Sequence, residues 1–143
     1  FCVADARSIP FKSNVFDFLI CTEVLEHLVE SQGNAAVREC YRVLRPGGVA
    51  LFTVPNGKGV LGDYFCAHIR FFSFESITTL IKEAGFEVIS GQKFGLYIPL
   101  VSRFIGFVYN AQGRYVPVTP MLNLNVPESL SLTFLIECRK PVI

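Results

Sequence analysis

Phe16-Asp17-Phe18-Leu19-Ile20-Cys21, running straight into Thr22-Glu23-Val24-Leu25-Glu26-His27-Leu28, is the stretch on which the fold turns. Its first half is apolar apart from Asp17 and reads as a strand buried on both sides. Strands of that kind belong to parallel sheets covered by helices, because a sheet with one wet face alternates apolar and polar residues. Its second half, Glu23–Leu28, reads as the opening of a short helix. A strand feeding a helix is the start of a strand–helix–strand unit.

Downstream the same grammar repeats. Asn34 is a suitable N-cap for a helix through Leu44, since its side chain can accept a free backbone N–H. Val37, Cys40, Tyr41 and Leu44 fall at i, i+3, i+4 and i+7, one helical face. Arg45-Pro46-Gly47-Gly48 ends it in a turn. Val49–Val54 (VALFTV) is a second buried strand, closed by Pro55-Asn56-Gly57, with a loop to about Phe72. Ser73 caps a helix whose apolar positions Phe74, Ile77, Leu80, Ile81 and Ala84 share a face, and Gly85 ends it. Phe86–Ser90 is a third strand and Leu132–Cys138 a fourth.

Upstream, Phe1–Ala4 is a short apolar run ending at Asp5, followed by an Arg7–Phe11 loop with Pro10 as its stop. Strands and helices therefore alternate from Phe1 to Ser90, which predicts an α/β fold with a parallel sheet. No internal repeat or low-complexity tract interrupts it.

The 143 residues suit one domain or a piece of one. They are 51% hydrophobic and only 17% charged, which excludes a disordered chain. A net charge of +1 leaves no basic excess to neutralise phosphates, so a nucleic-acid partner is not expected. Cysteines stand at 2, 21, 40, 66 and 138, an odd count at wide spacings with no CxxC pair. The two histidines are not spaced around them as zinc ligands are, so no metal is expected. Apolar neighbours make each cysteine read as a small buried thiol in a reducing cytosol. No cationic n-region or cleavage pattern marks a secretory signal. Phe1 is not Met and opens directly into an apolar run, which reads as a chain cut at its N-terminus.

Gly57-Lys58-Gly59-Val60-Leu61-Gly62 matches GxGxxG after a strand. A dinucleotide site needs a helix beginning at the first Gly and an acid about 20 residues on. Pro55-Asn56 precede the motif, and the Ser73–Ala84 helix occupies the place of the acid. A loop is the better reading, and a nicotinamide oxidoreductase is the remotest alternative. Residues 94–109 are apolar but carry Gly95, Pro99, Arg103 and Gly106, short of the ~20 apolar residues of a membrane span. Two readings stand: a buried insertion or lid, and a surface that touches lipid or a greasy substrate.

Four segments in order carry a family resemblance. They are Val3-Ala4-Asp5-Ala6 with Ile9-Pro10-Phe11; Phe16-Asp17 through Leu28; Tyr41-Arg42-Val43-Leu44-Arg45-Pro46-Gly47-Gly48; and His68-Ile69-Arg70-Phe71-Phe72-Ser73 with Glu83-Ala84-Gly85-Phe86. Together they resemble the class I S-adenosylmethionine-dependent methyltransferases, type 11, the group with ubiquinone-biosynthesis-like enzymes. The resemblance is strong over Phe1–Ser90, weak from Gly91 to Ser131, and loose over the final strand. It implies a partial Rossmann-like, doubly wound sheet, mostly parallel with an antiparallel last strand. Residues 1–143 would be the C-terminal part of one methyltransferase domain. Residues 91–131 would be an apolar, substrate-side insertion between the last two strands.

The resemblance also implies roles. Asp5 would accept the adenine amino group of S-adenosyl-L-methionine, and the Ala6 N–H would meet an adenine ring nitrogen. Cys21 and Thr22 would line the ribose and methionine, at the strand end where open α/β sheets bind ligands. Glu26 and His27 would sit near the methyl donor. Tyr64, His68 and Arg70 would lie on the substrate side, and His27 or His68 would be the base where one is needed. Each has a plainer alternative. Asp5 serves as a turn residue, Cys21 and Thr22 as strand-end packing, His27 as a structural histidine, and His68 as a loop residue. Glu23 and Glu26 are favoured at a helix N-terminus by its dipole.

The family's glycine-rich turn and its ribose-binding acid are not in this sequence. Both lie on the family's first two strands, roughly 60 residues at ~30 per strand–helix unit. In the family order 3-2-1-4-5-7-6, Phe1–Ala4 would be strand 3 and Phe16–Cys21 strand 4, with a bare apolar edge. The expectation is a chain poorly stable alone that binds cofactor weakly.

The reaction implied is displacement at a sulfonium methyl, for which the protein aligns the acceptor and excludes water. Phe, Tyr, Leu and Ile in the acceptor-side segments favour a small apolar or lipid-like acceptor. A non-catalytic binding module of the same fold is the main alternative. A cytoplasmic enzyme is expected, with peripheral membrane contact through 94–109 as a variant. The sequence does not set the oligomeric state.

Overall fold

The computed structural model describes residues 2–57, 68–94 and 126–142. Four strands form one sheet: β1 (Phe16–Thr22), β2 (Leu44–Pro55), β3 (Glu87–Phe94) and β4 (Thr133–Arg139), in the order β1-β2-β4-β3. β1 and β2 are parallel, and β4 runs antiparallel to both its neighbours, β2 and β3. This is the 4-5-7-6 half of the expected order, with the last strand antiparallel as expected. Two helices, α1 (Glu30–Val43) and α2 (Phe74–Glu83), make the crossovers to β2 and β3.

The core lies between this sheet and the two helices. Ala50, Phe52 and Val54 of β2 and Phe134, Ile136 and Cys138 of β4 are fully buried, and alternate with half-exposed neighbours. They cluster with Val37 and Cys40 of α1 and Ile77, Leu80 and Ile81 of α2. Each such side chain stabilises the fold by roughly 1.5–3 kcal/mol through apolar burial. Phe86 ties the layers together, its ring edge-on to Phe52 at 5.8 Å and to Tyr41 at 5.1 Å.

Several details differ from the sequence reading. β1 is not buried on both sides: Phe16, Leu19 and Cys21 pack on the core, while Phe18 and Ile20 are 55% and 59% exposed. Among the described residues no element packs over the face of β1 that carries Phe18 and Ile20. Residues 2–4 form no strand, and Val3 is fully exposed. No neighbouring strand offers them a ladder among the described residues; Asp5 and Ser8 close a small turn instead. Asn34 does not cap α1, which begins four residues earlier behind Val29 without a side-chain cap. Glu30 sits in the first turn, where the dipole favours it, and Gly33 is tolerated because Arg70 packs against it. Glu23–Leu28 holds only a single 3-10 turn, Leu25–His27.

Arg45-Pro46-Gly47-Gly48 lies within β2 as a wide bulge. Phe16 pairs with Leu44 and Phe18 with Val49, so Asp17 alone faces those four residues. Arg45 Nη1 bonds both Asp17 carboxylate oxygens at 2.7 and 2.8 Å across the bulge. The Ser73 cap is as read: Ser73 Oγ accepts from the Ser76 N–H, and Ser76 Oγ accepts from the Ser73 N–H. Gly85 closes α2 at φ +102°, a left-handed conformation where a side chain would also press on the Tyr41 ring at 3.1 Å. Most of 91–131, residues 95–109 of the apolar segment, Tyr64, Cys66 and all of the GxGxxG stretch after Gly57 lie outside the described residues.

Candidate functional site

The parallel pair β1–β2 opens at its carboxyl end onto a short run of backbone with no regular structure. Cys21 is half-buried and Thr22 exposed, paired with Phe52 and Thr53. Glu23 turns the chain at φ +52°, held by its N–H to the Thr53 carbonyl (3.1 Å) and by Thr53 Oγ1 donating to Glu23 Oε1 (2.9 Å). The turn ends β1 and sends Leu25 into the core, fully buried.

Glu26 follows and is 2% exposed. Its carbonyl accepts two N–H groups, from Ile69 at 2.8 Å and Arg70 at 3.0 Å. That clamp brings a segment distant in sequence onto the Leu25–His27 turn. The His27 and His68 rings meet edge-to-face with centroids 5.0 Å apart. Glu26 Oε1 stands 3.8 Å from His27 Nε2, and its Oε2 is buried without a hydrogen-bond partner among the described residues. Burial pushes the Glu26 carboxyl above the usual carboxylate range. Glu26, His27 and His68 thus form one cluster, in which residues expected near the methyl donor and a residue expected on the substrate side meet.

Arg70 lies beside it. Its guanidinium stacks over Phe72 at 4.7 Å, and its Nη1 is buried with no hydrogen-bond partner among the described residues. With Asn34, whose Oδ1 is likewise unpartnered, it lines a cavity of about 370 Å³ between the starts of α1 and α2. Ile69 and Phe71 flank it with their side chains 60% and 52% exposed.

The remaining sequence candidates are more scattered. Asp5 is exposed and fully engaged by Arg7, which donates to both oxygens at 2.6–3.0 Å and holds the carboxyl down at about 2. Ala6 packs against the edge of the core. Cys21 shares a thiol hydrogen bond with Cys40, which lowers the first and pushes the second up. Burial pushes Cys138 up to about 12, so Cys40 and Cys138 are inert thiols, as read. Cys2 departs from that reading, being exposed.

Thr53 and Asn56 carry no role in the sequence reading, and Glu23 and Asn34 carry different ones. Thr53 and Glu23 lock the strand end. Asn56, buried, donates to the Glu128 and Ser131 carbonyls at 2.7 and 2.9 Å and so ties β2 to the turn before β4. Asn34 was read as a cap. Only for Asn56 was there a signal, a polar residue directly after Pro55 at a strand end.

A family described as a methyltransferase domain, type 11, matches residues 1–52. A probable S-adenosylmethionine-dependent methyltransferase of Mycolicibacterium smegmatis is 36% identical over 86 residues, 56% of this chain and 32% of its own. The ubiquinone/menaquinone biosynthesis C-methyltransferase UbiE of Rickettsia prowazekii is 32% identical over 95 residues, 65% of this chain and 34% of its own. The chain spans about a third of the length of these relatives. Among solved structures, the [4+2]-cyclase SpnF superposes with a TM-score of 0.65 at 21% identity, covering 100% of this chain and 56% of that one. A possible histamine N-methyltransferase from Thermotoga maritima gives 0.64 at 21% identity, covering 94% and 60%. Sheet order and the antiparallel last strand give the fold of the class I S-adenosylmethionine-dependent methyltransferases, and residues 1–52 of the chain are similar to the type 11 methyltransferase domain.

Proposed function

We propose that this chain takes part in methyl transfer from S-adenosyl-L-methionine to a small, apolar acceptor such as a quinol. The observation that carries the proposal is the Glu26–His27–His68 cluster at the carboxyl end of β1, the end where open α/β sheets bind ligands.

The residues present fit part of the cofactor. Thr22 offers an exposed hydroxyl at the strand end, and half-buried Cys21 offers an apolar floor beside it. Asp5 is the poorer fit: both its oxygens are taken by Arg7, which has to swing away before an adenine amine can bond there. When bound, the cofactor supplies a methyl group activated on a sulfonium. The chain's own task is to align an acceptor atom with that methyl and keep water away. Exposed Ile69 and Phe71, next to His68, provide apolar contact for such an acceptor. A proton leaving an acceptor hydroxyl or carbon can be taken at an imidazole nitrogen of His27 or His68. The quinone-biosynthesis relative supports an acceptor of this type. Among the described residues no helix is long and apolar enough to cross a membrane.

The test is transfer of labelled methyl from S-adenosyl-L-methionine to a demethylated quinol by the full chain, with calorimetry for cofactor binding. Expected are weak cofactor binding, since the glycine-rich turn is not in this sequence, and slow transfer to a labelled apolar product. His68→Ala should lower kcat about 10²- to 10⁴-fold, the range of a general base, with cofactor affinity unchanged. Cofactor binding without transfer to any acceptor would favour a binding module.

A further inference from the structure

Glu26, His27 and His68 each present one ligand-type atom, and these atoms all lie within 4.8 Å of one another. One carboxylate and two imidazoles from separate parts of the chain are a donor set for a divalent transition ion. We propose that the cluster is a metal site, of the class that binds Zn²⁺ or Co²⁺. Its cysteine-free make-up is the reason a search around the thiols does not find it.

Three features of the geometry point to an ion rather than to a chance meeting. First, Glu26 is 2% exposed, and its Oε2 has no hydrogen-bond partner among the described residues. A buried carboxylate oxygen left bare is costly, and coordination is one way to offset it. Second, the backbone fixes the meeting. The Glu26 carbonyl binds the Ile69 and Arg70 N–H groups, so the main chains carrying His27 and His68 are held together independently of their rings. Third, the cluster is graded from inside to outside: Glu26 buried, His68 half-exposed, the His27 side chain 45% exposed. An ion can enter from solvent and meet the carboxylate last.

Ligand atoms about 2.1 Å from a zinc ion stand about 3.4 Å apart in a tetrahedron. Glu26 Oε1 and His27 Nε2 are already at 3.8 Å, and the remaining ligand-atom separations are no more than 4.8 Å. Three protein ligands leave at least one position for water or for an oxygen of a bound molecule, the pattern of a catalytic rather than a structural ion. An imidazole that holds the ion has no nitrogen free to take a proton, so the ion-bound cluster and the histidine base of the proposed methyl transfer are alternative states, and this test is read without S-adenosyl-L-methionine.

The full chain, stripped with chelator, is titrated with Zn²⁺ by calorimetry and with Co²⁺ by visible absorption. Expected is one ion per chain, with a cobalt d–d band and no thiolate charge-transfer band. His27→Ala and His68→Ala should each weaken Zn²⁺ binding about 100-fold or more, at least the upper end of what losing a mere outer-shell partner costs. Cys21→Ser should leave binding unchanged. Both histidines are away from the packed core, so metal-free melting of the two variants should match the parent and rule out misfolding. No binding at millimolar Zn²⁺ would overturn the proposal. So would undiminished affinity in the double histidine variant, or a thiolate band lost in Cys21→Ser.

Discussion

The two ends of the parallel strands are built on opposite terms. At the amino end three cations are each held by several oxygen atoms. Lys140 Nζ donates to Asn14 Oδ1, the Tyr41 carbonyl and the Leu44 carbonyl at 2.8–3.0 Å, with the Tyr41 ring 4.5 Å below it. Arg42 binds both Glu39 oxygens and the Ile9 and Phe11 carbonyls, and Arg45 spans to Asp17. At the carboxyl end, Glu26 Oε2, Asn34 Oδ1 and Arg70 Nη1 are all buried and without a hydrogen-bond partner among the described residues. Both ends rest on the same apolar core, so packing does not explain the difference. Buried polar groups are normally satisfied. A cluster of exceptions at the ligand-binding end of an α/β sheet is the physical mark of a site, and the saturated amino end is the mark of a scaffold.

The core common to both ends should give the largest effect. Phe52→Ala empties a fully buried position on the central strand β2 and should cost about 3–5 kcal/mol, measured by chemical denaturation of the full chain. A loss below about 1 kcal/mol would mean that the described core does not govern the chain's stability.

The contrast itself is tested by one substitution at each end. Lys140→Met keeps the apolar stem but strips two backbone carbonyls and Asn14 of a charged donor, and should cost about 1.5–3 kcal/mol. Asn34→Ala, at the other end, removes a group with no partner from inside α1 and should stabilise by about 0.5 kcal/mol through helix propensity. Equal costs at both ends would erase the distinction between scaffold and site.

The smallest effect belongs to Asp5. Its carboxyl should titrate at about 2 by NMR, and Arg7→Ala should return it toward 3.8. Because the folded value lies below the ordinary one, the stabilisation from this pair is fully present above pH 3.8. It is lost as pH falls through 2. An unchanged titration in the Arg7 variant would show that Arg7 does not hold Asp5, leaving its oxygens free for another donor.

The sequence by itself determined the element types and their order. Apolar runs bounded by Pro and Gly set β2 and β4, a 3.6-residue stripe behind Ser73 set α2, and the EVLEH and RPGG segments marked the family. These signals are local, a matter of which faces must leave water and which residues stop a helix. They erred where the answer depends on what lies alongside. The Phe16–Cys21 run looked buried on both faces, yet Phe18 and Ile20 are exposed because burial requires a neighbouring layer. Asn34 looked like a cap and lies inside a helix, because capping preference is a weak local energy that tertiary packing overrides. The site was half legible: His27 and His68 were singled out, but on separate arguments. Only the tertiary structure decided that they touch, through two N–H groups on the carbonyl of Glu26, a backbone contact that no side-chain pattern encodes.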